Sequence, residues 1–488
     1  MNHQHHYDTI IIGAGLAGLA TAIRLRKRGE SILVIEKNKT VGGKLDAFEW
    51  NGFRFDKGPS LFTQPELIDE LFELCGKDPK EYFTYNKVDE SCRYFFEDER
   101  LDLFGSKELR RKSLTSKLSE KEIETLEDYL DEVSQSNDFI GDFFLSNPKP
   151  GLKDVFKREL LVRYPEFLKF KFRTTLNKYN EKRLQSDKLV KIFNRYGTYN
   201  GSNPFQMSGL YSMISHLENN HGTFFPEKGM RSIPDSLFEL AKEEGVDFMF
   251  DATAEAVKTK GGFEINAPDP ISCEKLVCAI DHLTFYQDVL SDKTAFINFK
   301  KQERSSSGIV FYWSMDQRYE QLGLHNIFFS DDYEGEFSEI FKKKEIPADP
   351  TVYVHVSCVV NPSDAPEGKS NWFVMINIPA DNHPSTEMIN NVREKVISIL
   401  ENRLKTEVRS NILHEEHWTS KDLEQVTGSY GGALYGASSN SMTSALVRHD
   451  NFSKKYKDLY FVGGSVHPGG GIPLVLRSAK IVEQLIYG

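Results

Sequence analysis

Gly13-Ala14-Gly15-Leu16-Ala17-Gly18 is the stretch of this 488-residue chain whose residue types and spacing carry the most definite chemistry. The apolar run Thr9-Ile10-Ile11-Ile12 leads into it and the helix-favouring run Leu19 to Leu25 leaves it, so the glycines stand where a strand becomes a helix. In that setting Gly13 permits the tight turn, Gly15 lets backbone amides approach a pyrophosphate, and Gly18 lets helix and strand pack closely. The N–H groups at the helix start are ready donors for the diphosphate. A second apolar run, Ser31 to Ile35, ends on Glu36, eighteen residues past Gly18, where an acid accepts hydrogen bonds from ribose hydroxyls. The expectation is a βαβ unit that binds a dinucleotide.

Residues able to move a proton are sparse. His467 sits in a late glycine-rich turn and is a weak candidate for a proton acceptor, with a turn role favoured; His216 and Glu218 carry the same ambiguity more faintly. Neither a catalytic triad nor a carboxylate dyad stands out. The cysteines at 75, 92, 273, 278 and 358 form no CxxC and no zinc spacing, so no metal is expected and a reduced, cytoplasmic compartment is. Clustered His3, His5 and His6 read as a polar tail. A net charge of -11 argues against nucleic acid as a partner. No apolar stretch reaches the roughly 18 residues of a spanning helix.

The elements that must position these groups follow from periodicity. Leu67, Ile68, Leu71, Phe72 and Leu74 predict a helix within 64–76, and 82–104 predict a hairpin. A charged, mainly helical region follows from about 106 to 220. Within it, 153–183 holds ten basic residues against four acids, interleaved with Leu160, Tyr164, Phe167, Phe170 and Phe172. Such mixing suits the interface of an anionic bilayer as well as a solvated basic helix face. Helix 236–244 leads to a strand at Val246, and Val277 to Asp281 form another. Short strands then come at 309–313, 326–330, 352–359 and 372–378, before a helix over 385–404 that carries Met388, Ile389, Val392, Val396, Ile399, Leu400 and Leu404 on one side. Last come an apolar strand at Leu459, glycines from 463 to 471 and a helix to Ile486. The length favours two domains.

A glycine pair and a cation directly after the ribose acid, Val41-Gly42-Gly43-Lys44, followed by Gly58-Pro59-Ser60, resemble the FAD-dependent amine oxidase superfamily. Further landmarks resemble its bacterial carotenoid desaturases of the phytoene desaturase type: Tyr196 to Pro204, His216-Leu217-Glu218, the turn Pro226 to Met230 with Ile233-Pro234 behind it, and Gly463 to Leu474. Lys228 stands where that family usually has the first glycine of its turn. The look of Arg195 to Ser202 is nearest to 1-hydroxycarotenoid 3,4-desaturases.

The resemblance implies an α/β fold: a Rossmann-like FAD-binding domain (1–80, 222–290, 441–488) and an α+β substrate domain with a mixed sheet (81–221, 291–440), in which the basic, aromatic stretch 153–183 is the candidate membrane-facing helical part. It implies FAD held by Gly13 to Ala17, by Glu36 and Lys37, by Gly42 to Lys44, and by Gly58 to Ser60. Ala254 or Val257 would lie against adenine, and Gly464, Ser465, Ile472, Pro473 and Leu474 would close the flavin site. The implied reaction is desaturation of a long apolar carotenoid at the cytoplasmic membrane surface, with oxygen or a quinone taking the electrons. No second GxGxxG offers a nicotinamide site. Phytoene desaturation, carotene isomerisation, amine oxidation and a non-enzymatic prenyl-protein escort are the alternatives. Against amine oxidation, Gly464-Ser465 replaces the Gly-Glu typical of those enzymes.

Overall fold

A computed structural model describes residues 5–137, 145–148, 174–266, 270–441 and 448–488. The predicted βαβ unit is present: β1 (His6–Ile12), α1 (Leu16–Lys27) and β2 (Ile32–Ile35). β1 and β2 pair in parallel with Ile12 beside Ile35, and both are buried on two faces, which is why they read as unbroken apolar runs. Residues 16 to 25 of α1 are all buried. They pack on the C-terminal helix (Ile472–Tyr487) and on the helix Ser232–Glu243, so small residues are needed almost all round.

Chain segments far apart in sequence complete this sheet. Ile271–Cys278 pairs in parallel with β1, Leu459–Phe461 with Ile271–Cys278, and Asp247–Met249 with β2, while Glu255–Thr259 and Gly262–Asn266 extend one side as an antiparallel meander.

A second seven-stranded sheet is mixed. Its order is Ile412–Trp418, Ser307–Met315, Ser370–Ile378, Val352–His355, His325–Phe328, Glu90–Phe95, Arg100–Phe104. The last two are the hairpin expected within 82–104. Trp313 and Trp372 are fully buried in its core, and the helix Thr386–Leu404 covers it with Ile389, Val392, Val396, Ile397, Leu400 and Leu404. Met388, expected on that face, is 41% exposed. The strand expected over 352–359 stops at His355, because Cys358 N–H turns to the Asn371 side chain and Ser357 hydroxyl to Asp364.

Helices Lys107–Leu114, Glu120–Ser136, Leu176–Arg183 and Asp187–Asn194 bear out the helical region and share a core containing Tyr129, Tyr179 and Phe193. Most of the basic, aromatic stretch 153–183 lies outside the described residues. Among the described residues no helix is long and apolar enough to cross a membrane, and all five cysteines are free thiols.

Candidate active site

The glycine turn after β1 has three distinct environments. Gly13 has φ +107°, and a Cβ there would lie 2.8 Å from Ile280 Cγ2. A Cβ on Gly18 would lie 2.0 Å from the Gly13 carbonyl oxygen, so only glycine allows α1 this close to β1. At Gly15 a Cβ would meet nothing within 4 Å, because the space above it belongs to a cavity. Gly15 is the N-cap of α1, whose first turn has neither a side-chain cap nor an acid, leaving its N–H groups for an anionic ligand. Glu36 is buried and accepts from the N–H of Ala14 (2.8 Å), from Asn38 N–H (2.9 Å) and from the Asn38 side chain (2.9 Å).

Two more turns stack on this one. Gly42 donates to the Ala14 carbonyl at 2.9 Å and has φ +112°. Gly58 packs so tightly on the next residues that a Cβ would sit 1.8 Å from the Lys44 carbonyl oxygen. Lys44 donates its ammonium to the Leu434 carbonyl at 2.6 Å, and burial pushes its pKa down to about 8.

The closing segment arrives from the other end of the chain. Gly471, at φ +108°, is the N-cap of the C-terminal helix, again with neither a side-chain cap nor a first-turn acid. Glu483 on that helix pairs with Arg24 of α1 (3.2 Å) and with Arg28 at its C-cap (2.9 Å), fixing the two helices together. Their N-termini therefore open on one cavity, through Leu16 and Ala17 on one side and Ile472, Pro473 and Leu474 on the other. Buried Arg448 donates to the carbonyls of Tyr435 (3.2 Å) and Gly464 (2.9 Å) and so holds the closing turn in place.

The cavity encloses about 750 Å³, within the roughly 300–1,000 Å³ of ligand sites. Gly13, Gly15, Leu16, Ala17, Glu36, Lys37, Gly42, Gly43, Lys44, Gly58, Pro59, Ser60, Ala254, Gly464, Ser465, Ile472, Pro473, Leu474 and His467 all line it. Ala14 does not, its amide being spent on Glu36. Val257 does not either, which corrects its expected contact with adenine: Ala256 takes the buried face of that strand, and Val257 points outward, 53% exposed. His467 is buried with its Nε2 3.1 Å from the Asn147 carbonyl, and its own carbonyl accepts from the Asn451 side chain at 2.7 Å.

Beyond the glycine turns the same cavity runs along the second sheet, where half-buried Val310, Met375 and Trp418 join Leu217, Ile214 and Phe373. Polar groups interrupt this apolar wall, Asn377 beside Met375 among them, and three form buried clusters. Arg195 pairs with Glu218 at 3.4 Å, both are buried, and the Tyr199 hydroxyl donates to the same carboxylate. The Tyr353 hydroxyl lies 2.6 Å from Ser60 Oγ and 2.7 Å from His325 Nδ1. Glu336 accepts from Ser330 (2.8 Å) and Thr351 (2.6 Å), and burial pushes it up to about 7. His216 lies outside the lining, packed edge-on against His221.

Sequence reasoning passed over Arg195, His325, Glu336 and Tyr353 as site groups. Arg195 opens the segment singled out by resemblance, but its ion pair joins positions 23 residues apart, and no local pattern announces it. His325 opens a fully buried strand and Tyr353 sits in an alternating one, so only strand pairing unites them.

Two uncapped helix starts, a cavity beginning where a Cβ at Gly15 would stand, and a buried carboxylate, Glu36, in its lining fit a dinucleotide whose other end reaches the closing turn. The model of the family "Flavin containing amine oxidoreductase" matches residues 16–482. The chain belongs to this family; it is an FAD-dependent oxidoreductase. Among curated proteins it is 40% identical over 492 residues to the 1-hydroxycarotenoid 3,4-desaturase of Flavobacterium sp. (strain P99-3), covering 98% of each chain. It is 30% identical to the 4,4'-diapolycopene oxygenase of Methylomonas sp, covering 100% of this chain and 99% of that one. Solved structures share the fold: putrescine oxidase bound to putrescine (TM-score 0.65, 13% identity, 99% of each chain) and an oxidoreductase from Methanosarcina mazei (TM-score 0.64, 15% identity, 98% of this chain and 99% of that one).

Proposed function

We propose that this enzyme introduces a carbon–carbon double bond into a carotenoid, at the 3,4 position of a 1-hydroxylated acyclic or monocyclic carotene end. The observation that carries this is the continuity of the cavity from the paired helix N-termini into an apolar, aromatic-walled half, a shape suited to a long hydrocarbon. The likeness to the Flavobacterium desaturase over 98% of both chains supports the choice of substrate. FAD, when bound, supplies the hydride acceptor. The chain's share is placement: Val310, Phe373, Met375 and Trp418 exclude water and hold two vicinal carbons beside the closing turn. The hydrogens next to a polyene are weakly held, so no strong dedicated base is required, and His467 serves the turn that carries it.

The cofactor half is built from 1–80, 222–290 and 441–488, and the substrate half from 81–221 and 291–440. The carotenoid is drawn from the cytoplasmic membrane surface, with 153–183 as the docking segment and oxygen or a quinone as electron acceptor. Holoenzyme is incubated with liposomes carrying phytoene, lycopene or a 1-hydroxylated carotene while the absorption spectrum is followed. A red shift with the hydroxylated carotene alone is the expected result; no shift with any carotene overturns the reading. Charge reversal at Lys169, Lys171 and Arg173 should reduce sedimentation with anionic liposomes, and unchanged binding would remove that surface from the account.

A further inference from the structure

Beside the glycine turns the apolar cavity contains one hydroxyl pair with a histidine behind it. Ser60 follows Gly58-Pro59, the turn whose backbone rests on the Lys44 carbonyl. Its hydroxyl oxygen lies 2.6 Å from the Tyr353 phenol oxygen, which lies 2.7 Å from His325 Nδ1. All three residues line the cavity, and Tyr353 is half-buried while Ser60 and His325 are buried. Three separate segments converge here, since Tyr353 and His325 come from adjacent antiparallel strands of the second sheet. Burial holds the imidazole well below its ordinary pKa, so it is neutral.

The unused capacity of this group is specific. A phenol has one proton and two lone pairs, and so does the Ser60 hydroxyl. With His325 donating its Nδ1–H to the phenol, the tautomer that leaves only a lone pair on its buried, unpartnered Nε2, the Ser–Tyr pair retains both a proton to give and a lone pair to offer. Its natural ligand is a group that donates and accepts at one atom, an alcohol rather than a ketone or a hydrocarbon. In a 1-hydroxylated carotene end the alcohol carbon is separated by one methylene from the C3–C4 bond. An alcohol anchored at Ser60 therefore keeps that bond next to the turns that hold the cofactor, which a greasy channel alone cannot do because every register of a polyene in it is nearly equivalent.

We propose that Ser60, Tyr353 and His325 form the subsite that binds the tertiary alcohol of the substrate and thereby sets which bond is desaturated. Tyr353 and Ser60 touch the alcohol, and His325 is a positioning residue that orients the phenol. This subsite rests on the proposed carotenoid substrate.

The test is binding to holoenzyme, read from quenching of flavin emission, with lycopene and 1-hydroxylated lycopene as the two probes. Wild type should bind the hydroxylated probe about tenfold more tightly, the worth of one good hydrogen-bonded anchor. Tyr353→Phe keeps the ring and should bring the two affinities within about twofold of each other, with lycopene binding and flavin content unchanged. His325→Leu should shift the preference the same way and serves if the first variant does not accumulate. With the anchor lost, Tyr353→Phe should also yield products with the new double bond at more than one position. A preference for the alcohol that survives in both variants overturns the subsite. So does equal binding of both probes by wild type, and if wild type still desaturates the hydroxylated probe, the substrate reading stands alone. Wild type that neither binds nor desaturates either probe removes the substrate reading and the subsite together.

Discussion

At the scale of single residues, the buried polar groups of the cavity divide by whether burial is compensated. Arg195 and Glu218 compensate each other as an ion pair, with the guanidinium 5.0–5.2 Å from the ring centres of Tyr94, Tyr196 and Tyr199. Glu336 has only neutral hydroxyls and an amide, so burial dominates and its carboxyl is pushed up to about 7. Between the ordinary carboxylate range and about 7 the folded protein holds a proton that the unfolded chain has released. Stability therefore falls as pH rises through that window and levels off above it. Glu336→Gln cannot release that proton, so relative to wild type it should gain on the order of 1–3 kcal/mol between pH 5 and pH 8. Urea midpoints at the two pH values check this, and parallel curves would show that Glu336 titrates normally.

At the scale of elements, two helix starts face the cavity proposed to hold the cofactor. α1 and the C-terminal helix are tied by Glu483, and each leaves its first turn uncapped toward the cavity. Gly15, capping α1, and Gly18, within it, separate packing from binding. Gly15 has φ −71° and free space beyond its Cα, a backbone any residue adopts. Gly15→Val should therefore fold with a melting temperature within about 3 °C of the wild-type apoprotein, yet lose FAD, seen as a colourless preparation. Gly18→Ala should do the reverse of a benign change. Its methyl would meet the Gly13 carbonyl, and chemical denaturation should show a loss of about 3 kcal/mol or more. Equal stability losses in the two variants would contradict this division of roles.

Across the whole molecule, one cavity links two sheets whose strands come from distant parts of the chain. Narrowing its far half should leave the cofactor half intact. Val310→Trp, on the half-buried cavity face of the strand Ser307–Met315, should keep wild-type flavin content while carotenoid affinity falls more than tenfold. Retained affinity, measured by flavin quenching, would place the hydrocarbon elsewhere.

Local patterns settled a good deal without any structure. The β1–α1–β2 unit, Glu36 and the closing glycines were legible because tight turns and close helix packing admit few residue types, and amphipathic spacing revealed the helix covering the second sheet. Some local patterns misled. Met388 keeps helical phase yet stands exposed in the first turn of its helix, and Val257 alternates correctly but on the outward face. The polar groups of the cavity were decided by tertiary structure alone. Arg195 reaches Glu218, and Ser60 reaches Tyr353 and then His325, only after strand pairing and loop placement bring them together. A hydrogen bond between residues 293 positions apart leaves no period or spacing in the chain. Steric demands on the backbone are local and are written into residue type. Complementarity inside a cavity is a long-range property, and it exists only once the fold has closed.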